Sequence, residues 1–281
     1  MIDFEIPRFS IRQSAVQLGC GLRPRRQNGR ESGGGAVTRY RLTVAYDGSA
    51  FHGWQVQLRQ VTVQSTIEDA LARYSGETVK LHGSGRTDQG VHARGQVAHF
   101  DLTRRVDPAA MLKALNAILP DDVRILKAAR TAADFDARRS AKGKEYRYFI
   151  WNAPVLDPFL RRYRAHIWRR LDVAAMNAAA AELAGVHDFA AYAANPSREI
   201  DSTVRHLTRL RCMRRGREVV IVAAADGFLY KMVRSLCGLL IRVGEGAVPP
   251  GEARRILETR ERTARVPTAP AAGLFLWQVW Y

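Results

Sequence analysis

Acidic side chains are in short supply in this chain: 27 Asp and Glu stand against 44 Lys and Arg, a formal net charge of +17 in 281 residues. Lysine is rarer still, because 38 of those 44 cations are Arg. A surplus on that scale implies an anionic partner. Arg makes forked hydrogen bonds to phosphate and stacks on bases, which points to nucleic acid ahead of a membrane surface. Cysteine is almost absent. Cys20, Cys212 and Cys237 are odd in number and far apart, which excludes a disulfide framework and a cysteine-ligated zinc site and fits a reducing compartment.

Long hydrophobic runs are missing as well. The longest apolar segment, Phe228 to Val243, is broken by Lys231, Arg234 and Arg242, and the N-terminus lacks the charged, apolar, small-residue order of an export leader. The expectation is a cytoplasmic protein without membrane contact. His82, His92 and His99 lie close in sequence but have no carboxylate cluster or cysteine pair to complete a metal site. The glycine-rich stretch around them lacks the Gly-Lys-Ser/Thr ending of a phosphate loop. No metal and no small-molecule cofactor are expected.

What is present begins with "RPRRQNGRESGGG", a cationic, Gly-rich stretch that marks residues 1–38 as a flexible extension. Beyond it the chain spells one pattern twice. In residues 39–137, "RYRLTVAY" alternates as a half-buried strand. Ser65 with Glu68 gives a capping box for a helix closed by Gly76. "TVKLH" and "QVAHFDL" are strands, Asp107 and Pro108 open the helix "AAMLKALNAIL", and "VRILKAA" is a strand. In residues 138–281, "KEYRYFIW" is a strand and Asp172 caps "VAAMNAAAAELAG". "TVRHLTRLRCM" and "EVVIVAAA" form a hairpin, "FLYKMVRSLCGLLIRV" is a helix, "PGEARRILETR" is an extra helix, and "GLFLWQVWY" is the last strand. Strand, helix, strand, strand, helix, strand is the ferredoxin-like order. The expected fold is α+β: two such halves forming one wide antiparallel sheet with helices on one face. The same topology underlies a common RNA-binding module.

Between two strands of the first half lies "GSGRTDQGVHARGQ", Gly83 to Gln96, where Asp88 sits between Arg86 and His92. Glycines allow a tight loop, and Asp in such a loop is most often an ordinary turn former. The string "GRTDQGVHARGQVAHF" nevertheless resembles the motif of the tRNA pseudouridine synthase A family. "VAYDGSAFHGWQVQ", "KEYRYFIW", "LAGVHDFAAY", "FLYKMVRSLCG" and "GLFLWQV" resemble its other blocks, in order, from about residue 40 to 281.

The resemblance implies isomerisation of uridine to pseudouridine at tRNA positions 38, 39 and 40, in the anticodon stem-loop, by a homodimer in which one tRNA touches both subunits. It makes Asp88 the catalytic carboxylate, which can act as a nucleophile that splits one hard step into two easier ones. It makes Tyr146 the active-site tyrosine, although Tyr146, Tyr148 and Ile150 share a strand face and read equally as core. It makes Arg234 the partner of Asp88, fixing the carboxylate by charge-assisted hydrogen bonds. Lys231, Arg234, Ser235, Gly238 and Arg242 form a stripe along that helix, and Gly238 would let another backbone approach. Leu276 matches the apolar residue beneath the target base, and is equally a core position. Arg86 would hold the RNA loop open once the target nucleotide has left its stack.

Further RNA contacts are expected from Arg138, Arg139, Lys142 and Lys144 ahead of Tyr146, and from Arg161, Arg162, Arg164 and Trp168 in "RRYRAHIWRR", where cations interleave with aromatics. "RRILETRERTAR" reads as a solvated helix face with ion pairs of small value. Gln89 stands where the family often has Ala, and Ser235 where it commonly has Asn. Two other readings compete: a non-catalytic tRNA-binding or chaperone protein on the same scaffold, and a metal-dependent nuclease, which would need acidic ligands the motif lacks.

Overall fold

The computed structural model describes residues 37–194 and 201–281. The extension read at residues 1–38 lies almost wholly outside them.

β1 (Thr38–Tyr46) alternates as its sequence requires, with Tyr40, Leu42, Val44 and Tyr46 buried. α1 (Val63–Ser75) buries Ile67, Ala70 and Leu71, and Gly76 ends it in the left-handed conformation, its N–H donating to Ala72 O. Its N-cap is Thr62, whose side chain accepts from the Ser65 backbone, so the capping box begins three residues earlier than Ser65. Glu68 takes another task and accepts from Leu81 N at 2.8 Å. The strand read at "TVKLH" shrinks to β2 (His82–Gly83), which pairs with β3 (His92–Leu102). α2 (Pro108–Ile118) starts at Asp107, whose carboxylate accepts from Ala110 N, and β4 (Val123–Arg130) closes the half.

The second half runs β5 (Gly143–Trp151), β6 (Ala165–His166), α3 (Val173–Ala181), β7 (Gly185–Asp188), β8 (Val204–Arg215), β9 (Glu218–Ala225), α4 (Met232–Gly244), α5 (Glu252–Thr259) and β10 (Leu274–Trp280). The short strands β6 and β7 carry no alternation long enough to be read from sequence. α4 begins at Met232 and not at Phe228, because Lys231 adopts a left-handed conformation (φ 57°) that a helix cannot contain.

The main sheet order is β4-β1-β3-β10-β5-β9-β8-β7, with β2 also on β3 and β6 also on β5. Each half therefore has the ferredoxin-like order, fourth strand beside first, then third, then second: β4-β1-β3-β2 and β10-β5-β9-β8. The halves meet where β10 runs parallel to β3, pairing Phe275 with His92 and Leu276 with Ala93. On that same edge of β3, β2 pairs higher up, at Ala98 and His99. One edge is thus handed from β2 to β10, and the loop of residues 84–91 leaves the sheet at the handover.

Candidate active site

The loop is fastened at both ends and along its length. Ser84 N donates to Val97 O (2.7 Å), Ser84 Oγ to Gln96 Oε1 (2.7 Å), and Gln96 Nε2 to Gly85 O (2.9 Å). Gln96 is fully buried, so these bonds are made away from water and their loss would be costly. Trp54 N donates to Thr87 O (3.1 Å), and the Thr87 hydroxyl bonds Tyr46 Oη (2.8 Å). The apex is a turn closed by Val91 N to Asp88 O (3.1 Å), and Gly90 supplies the φ of 76° it needs. His92, fully buried, ends the loop: Nδ1 accepts from Gly48 N (3.0 Å), leaving Nε2 to donate to Arg162 O (2.9 Å) in the second half. Burial holds the His92 imidazole below its ordinary pKa, against the opposing pull of Asp47.

In this rigid turn the Asp88 side chain does not cap its own backbone. Its Oδ2 accepts from Arg234 Nη1 at 2.9 Å, across 146 residues, with the two side chains 20% and 16% exposed. Oδ1 has no protein partner among the described residues. A guanidinium on one oxygen orients the carboxylate and leaves the other oxygen available.

Arg234 is itself held. All of α4 is buried except Arg234 and Arg242, so the stripe seen in the sequence is not a solvated face. A backbone strap, residues 266–270, lies against it. A Cβ at Gly238 would stand 2.1 Å from Pro267 O, so that strap needs glycine there. Ala269 N donates to Arg234 O (3.0 Å), and Arg234 Nε donates to Ala269 O (2.8 Å). Tyr148 Oη donates to Pro270 O (3.0 Å). The strap then runs into β10.

Arg262, which the sequence places on a solvated face, fastens the strap's other side. Its guanidinium donates to Ser235 Oγ (2.8 Å), Thr268 Oγ1 (2.8 Å), Val266 O (3.2 Å) and Tyr192 O (3.3 Å). It lies beyond the end of α5, where helix periodicity says nothing. Ser235 is the hydroxyl that accepts from it.

β10 carries Leu276 into register with Tyr146 on β5, so the two are side by side on one sheet face. Leu276 is fully buried and Tyr146 is 8% exposed. Tyr146 meets Phe228 edge to face, with centroids 5.2 Å apart. Burial first, then Tyr46 and the Asp88 carboxylate, push the Tyr146 phenol far above its ordinary pKa, so it stays protonated at neutral pH. Its hydroxyl has no protein partner among the described residues. A neutral phenol beside an oriented carboxylate can stack on a base and donate a hydrogen bond.

A family model described as tRNA pseudouridine synthase matches residues 42–138 and 179–281, which includes the loop, α4 and β10. The chain is 43% identical to tRNA pseudouridine synthase A of Methylacidiphilum infernorum over 246 residues, 88% of this chain and 96% of that one. It is 45% identical to that of Brevibacillus brevis over 245 residues, 87% and 100% of the two chains. The chain belongs to the tRNA pseudouridine synthase family. These enzymes are isomerases, and the Asp88–Arg234 pair lies within the segments that the tRNA pseudouridine synthase model matches.

The remaining expected residues scatter around this centre. Arg86 is exposed two positions from Asp88, and its Nε donates to Gln55 (3.2 Å). Arg138, Arg139 and Lys142 are exposed, whereas Lys144 is largely withdrawn and bonds Ser84 O. Arg161 and Arg162 are exposed, and Trp168 is 62% exposed beneath the Arg169 guanidinium. Arg164 is already occupied, paired with Glu218 and stacked on Phe149. Cavities of about 220 Å³ beside α5 and about 540 Å³ at the end of α4 contain none of the Asp88 cluster. A nucleotide inside a polymer must in any case be reached from the surface. The sequence gives Gln96, His92, the strap and Arg262 no catalytic pattern; their role is visible only through contacts distant along the chain.

Proposed function

We propose that this chain converts uridine to pseudouridine at positions 38, 39 and 40 in the anticodon stem-loop of tRNA, with Asp88 as the reacting carboxylate. The net change breaks the C1′–N1 bond, forms a C1′–C5 bond and moves a proton from C5 to N1. Electrons are neither added nor removed, so the reaction calls on no redox partner. Asp88 Oδ1 is the oxygen left to meet the nucleotide once Arg234 holds Oδ2. Arg234 sets the orientation, and the Tyr146 phenol stacks on the uracil and donates a hydrogen bond. The target base must leave its stack, at a cost of a few kcal/mol, and exposed Arg86 is positioned to hold the opened RNA.

The observation that carries this reading is the 2.9 Å pair between Asp88 of the first half and Arg234 of the second. An acid confronting phosphate serves no purpose in binding alone. Family resemblance supports the anticodon stem-loop as target, and a cytoplasmic homodimer as the working form; light scattering of the purified protein reads the latter. The test of the reaction is incubation of unmodified tRNA with the protein in EDTA, followed by mapping of pseudouridine. Conversion confined to positions 38–40 is the expected result. Pseudouridine elsewhere, or none, would overturn the assignment.

A further inference from the structure

Lys144 sits two residues before Tyr146, on the same face of β5, and its ammonium has no carboxylate partner among the described residues. Nζ donates to Ser84 O at 2.6 Å. It also lies over the bare α-carbon of Gly85, 3.1 Å from where a Cβ would stand. Both contacts are with the limb that leads to Asp88. The charged neighbour that acts on it is Arg138, of like sign. Burial first, then Arg138, bring the Lys144 amine down to about 8 from the ordinary 10.5. Its three N–H donors have one protein acceptor, a neutral carbonyl. Such a cation is poorly compensated in the free protein and becomes well compensated when an anion arrives.

We propose that Lys144, with Arg138 beside it, is a subsite for a backbone phosphate of the RNA strand, one nucleotide from the target uridine. This rests on the reading above that the substrate is RNA. Same-face residues of a strand lie about 7 Å apart, so the ammonium is within a nucleotide's span of the tyrosine that faces the base. A phosphate on Nζ would tie the strand to the loop that carries Asp88, because that ammonium already holds Ser84 O.

A purely structural role, in which Lys144 ties the loop to β5 and nothing more, predicts lost turnover with unchanged electrostatics of binding. The two are separated by the salt dependence of tRNA affinity, measured in the Asp88→Asn background so that no product forms. Lys144→Gln removes the charge and keeps a donor for Ser84 O; Lys144→Met removes both; Lys144→Arg keeps the charge. The expected result is that both neutral variants weaken binding about tenfold at low salt. They should also lower the slope of log affinity against log salt by about 0.7, the share of one phosphate contact on a single strand, while Lys144→Arg keeps the slope. An unchanged slope in the neutral variants would overturn the subsite even if their turnover were poor. Tight, Lys144-dependent binding by a wild-type protein that makes no pseudouridine would instead sink the proposed reaction and leave the subsite standing.

Discussion

The two halves share one strand order and differ at the connection between their second and third strands. In the second half, β8 and β9 are a long hairpin joined through the two residues Gly216 and Arg217. In the first half the second strand is only His82–Gly83, and residues 84–91 form a loop with Asp88 at its apex. The difference follows from the seam. β10 occupies the edge of β3 that a full-length β2 would need, so the chain between them is pushed out of the sheet and becomes free to carry chemistry. The second helices of the two halves differ in the opposite sense. α2 buries two side chains, Met111 and Leu115, whereas α4 is buried except at Arg234 and Arg242. One half thus supplies an acid on a pinned loop and the other a cation on a buried helix, and neither half holds the pair alone.

Breaking the second half's contribution should cost most. Arg234→Ala frees the Asp88 carboxylate to turn, and a misplacement of about 1 Å costs on the order of 10²-fold in rate. Steady-state kcat on unmodified tRNA should fall at least that far, with binding little changed; kcat within threefold of wild type would show that the halves are not coupled through this pair. Gly238→Ala tests the strap. Its Cβ would stand 2.1 Å from Pro267 O, so Pro267–Ala269 must shift and take the Arg234 guanidinium with it. About tenfold lower kcat and about 1–3 kcal/mol of lost stability are expected by thermal melting and kinetics. Arg262→Gln removes the strap's outer fastening. It should lower kcat several-fold at unchanged KM, with partial rescue by Arg262→Lys, whereas a KM effect would mean that Arg262 touches RNA.

The joint between halves should also respond to acid. The folded-state pKa of His92 lies below 6.5, so as pH falls below about 6.5 the unfolded chain binds protons that the folded protein refuses, and stability drops. The imidazole faces Asp47 and the Tyr163 ring, whose hydroxyl donates to that same carboxylate, and its pKa is lowered despite the carboxylate. Melting temperature should decline from pH 7 to pH 5, and His92→Gln should flatten that slope; an equal slope in both would remove His92 from the account. The smallest effect belongs to the tight turn of the second half. Gly216 has φ 57° with nothing within 4 Å of a Cβ, so Gly216→Ala costs about 1–2 kcal/mol of backbone strain and leaves kcat alone.

Much of this arrangement can be read in the sequence where periodicity is long. Tyr40 to Tyr46 alternate, Asp107 and Asp172 cap helices as expected, and the doubled strand–helix order gives the halves. Asp88, Tyr146 and Arg234 come from a motif, and the structure places Asp88 and Arg234 in contact. What is illegible is set by distant contacts. The capping box moves to Thr62 because Glu68 is recruited by Leu81 N, and α4 starts late because Lys231 turns left-handed. Arg262 looks like any surface cation until the strap is folded over it. Lys144 reads in the sequence like its neighbours Lys142 and Arg138, and only the fold withdraws it from solvent and points it at the loop's carbonyl.

The claim on which the rest depends is that the Asp88 carboxylate does the chemistry, and single-turnover assay of Asp88→Asn on unmodified tRNA tests it most directly. With the amide in place, tRNA affinity should stay within a few-fold of wild type while pseudouridine at positions 38–40 falls below detection. Pseudouridine formed at a rate near that of the wild type would contradict the account.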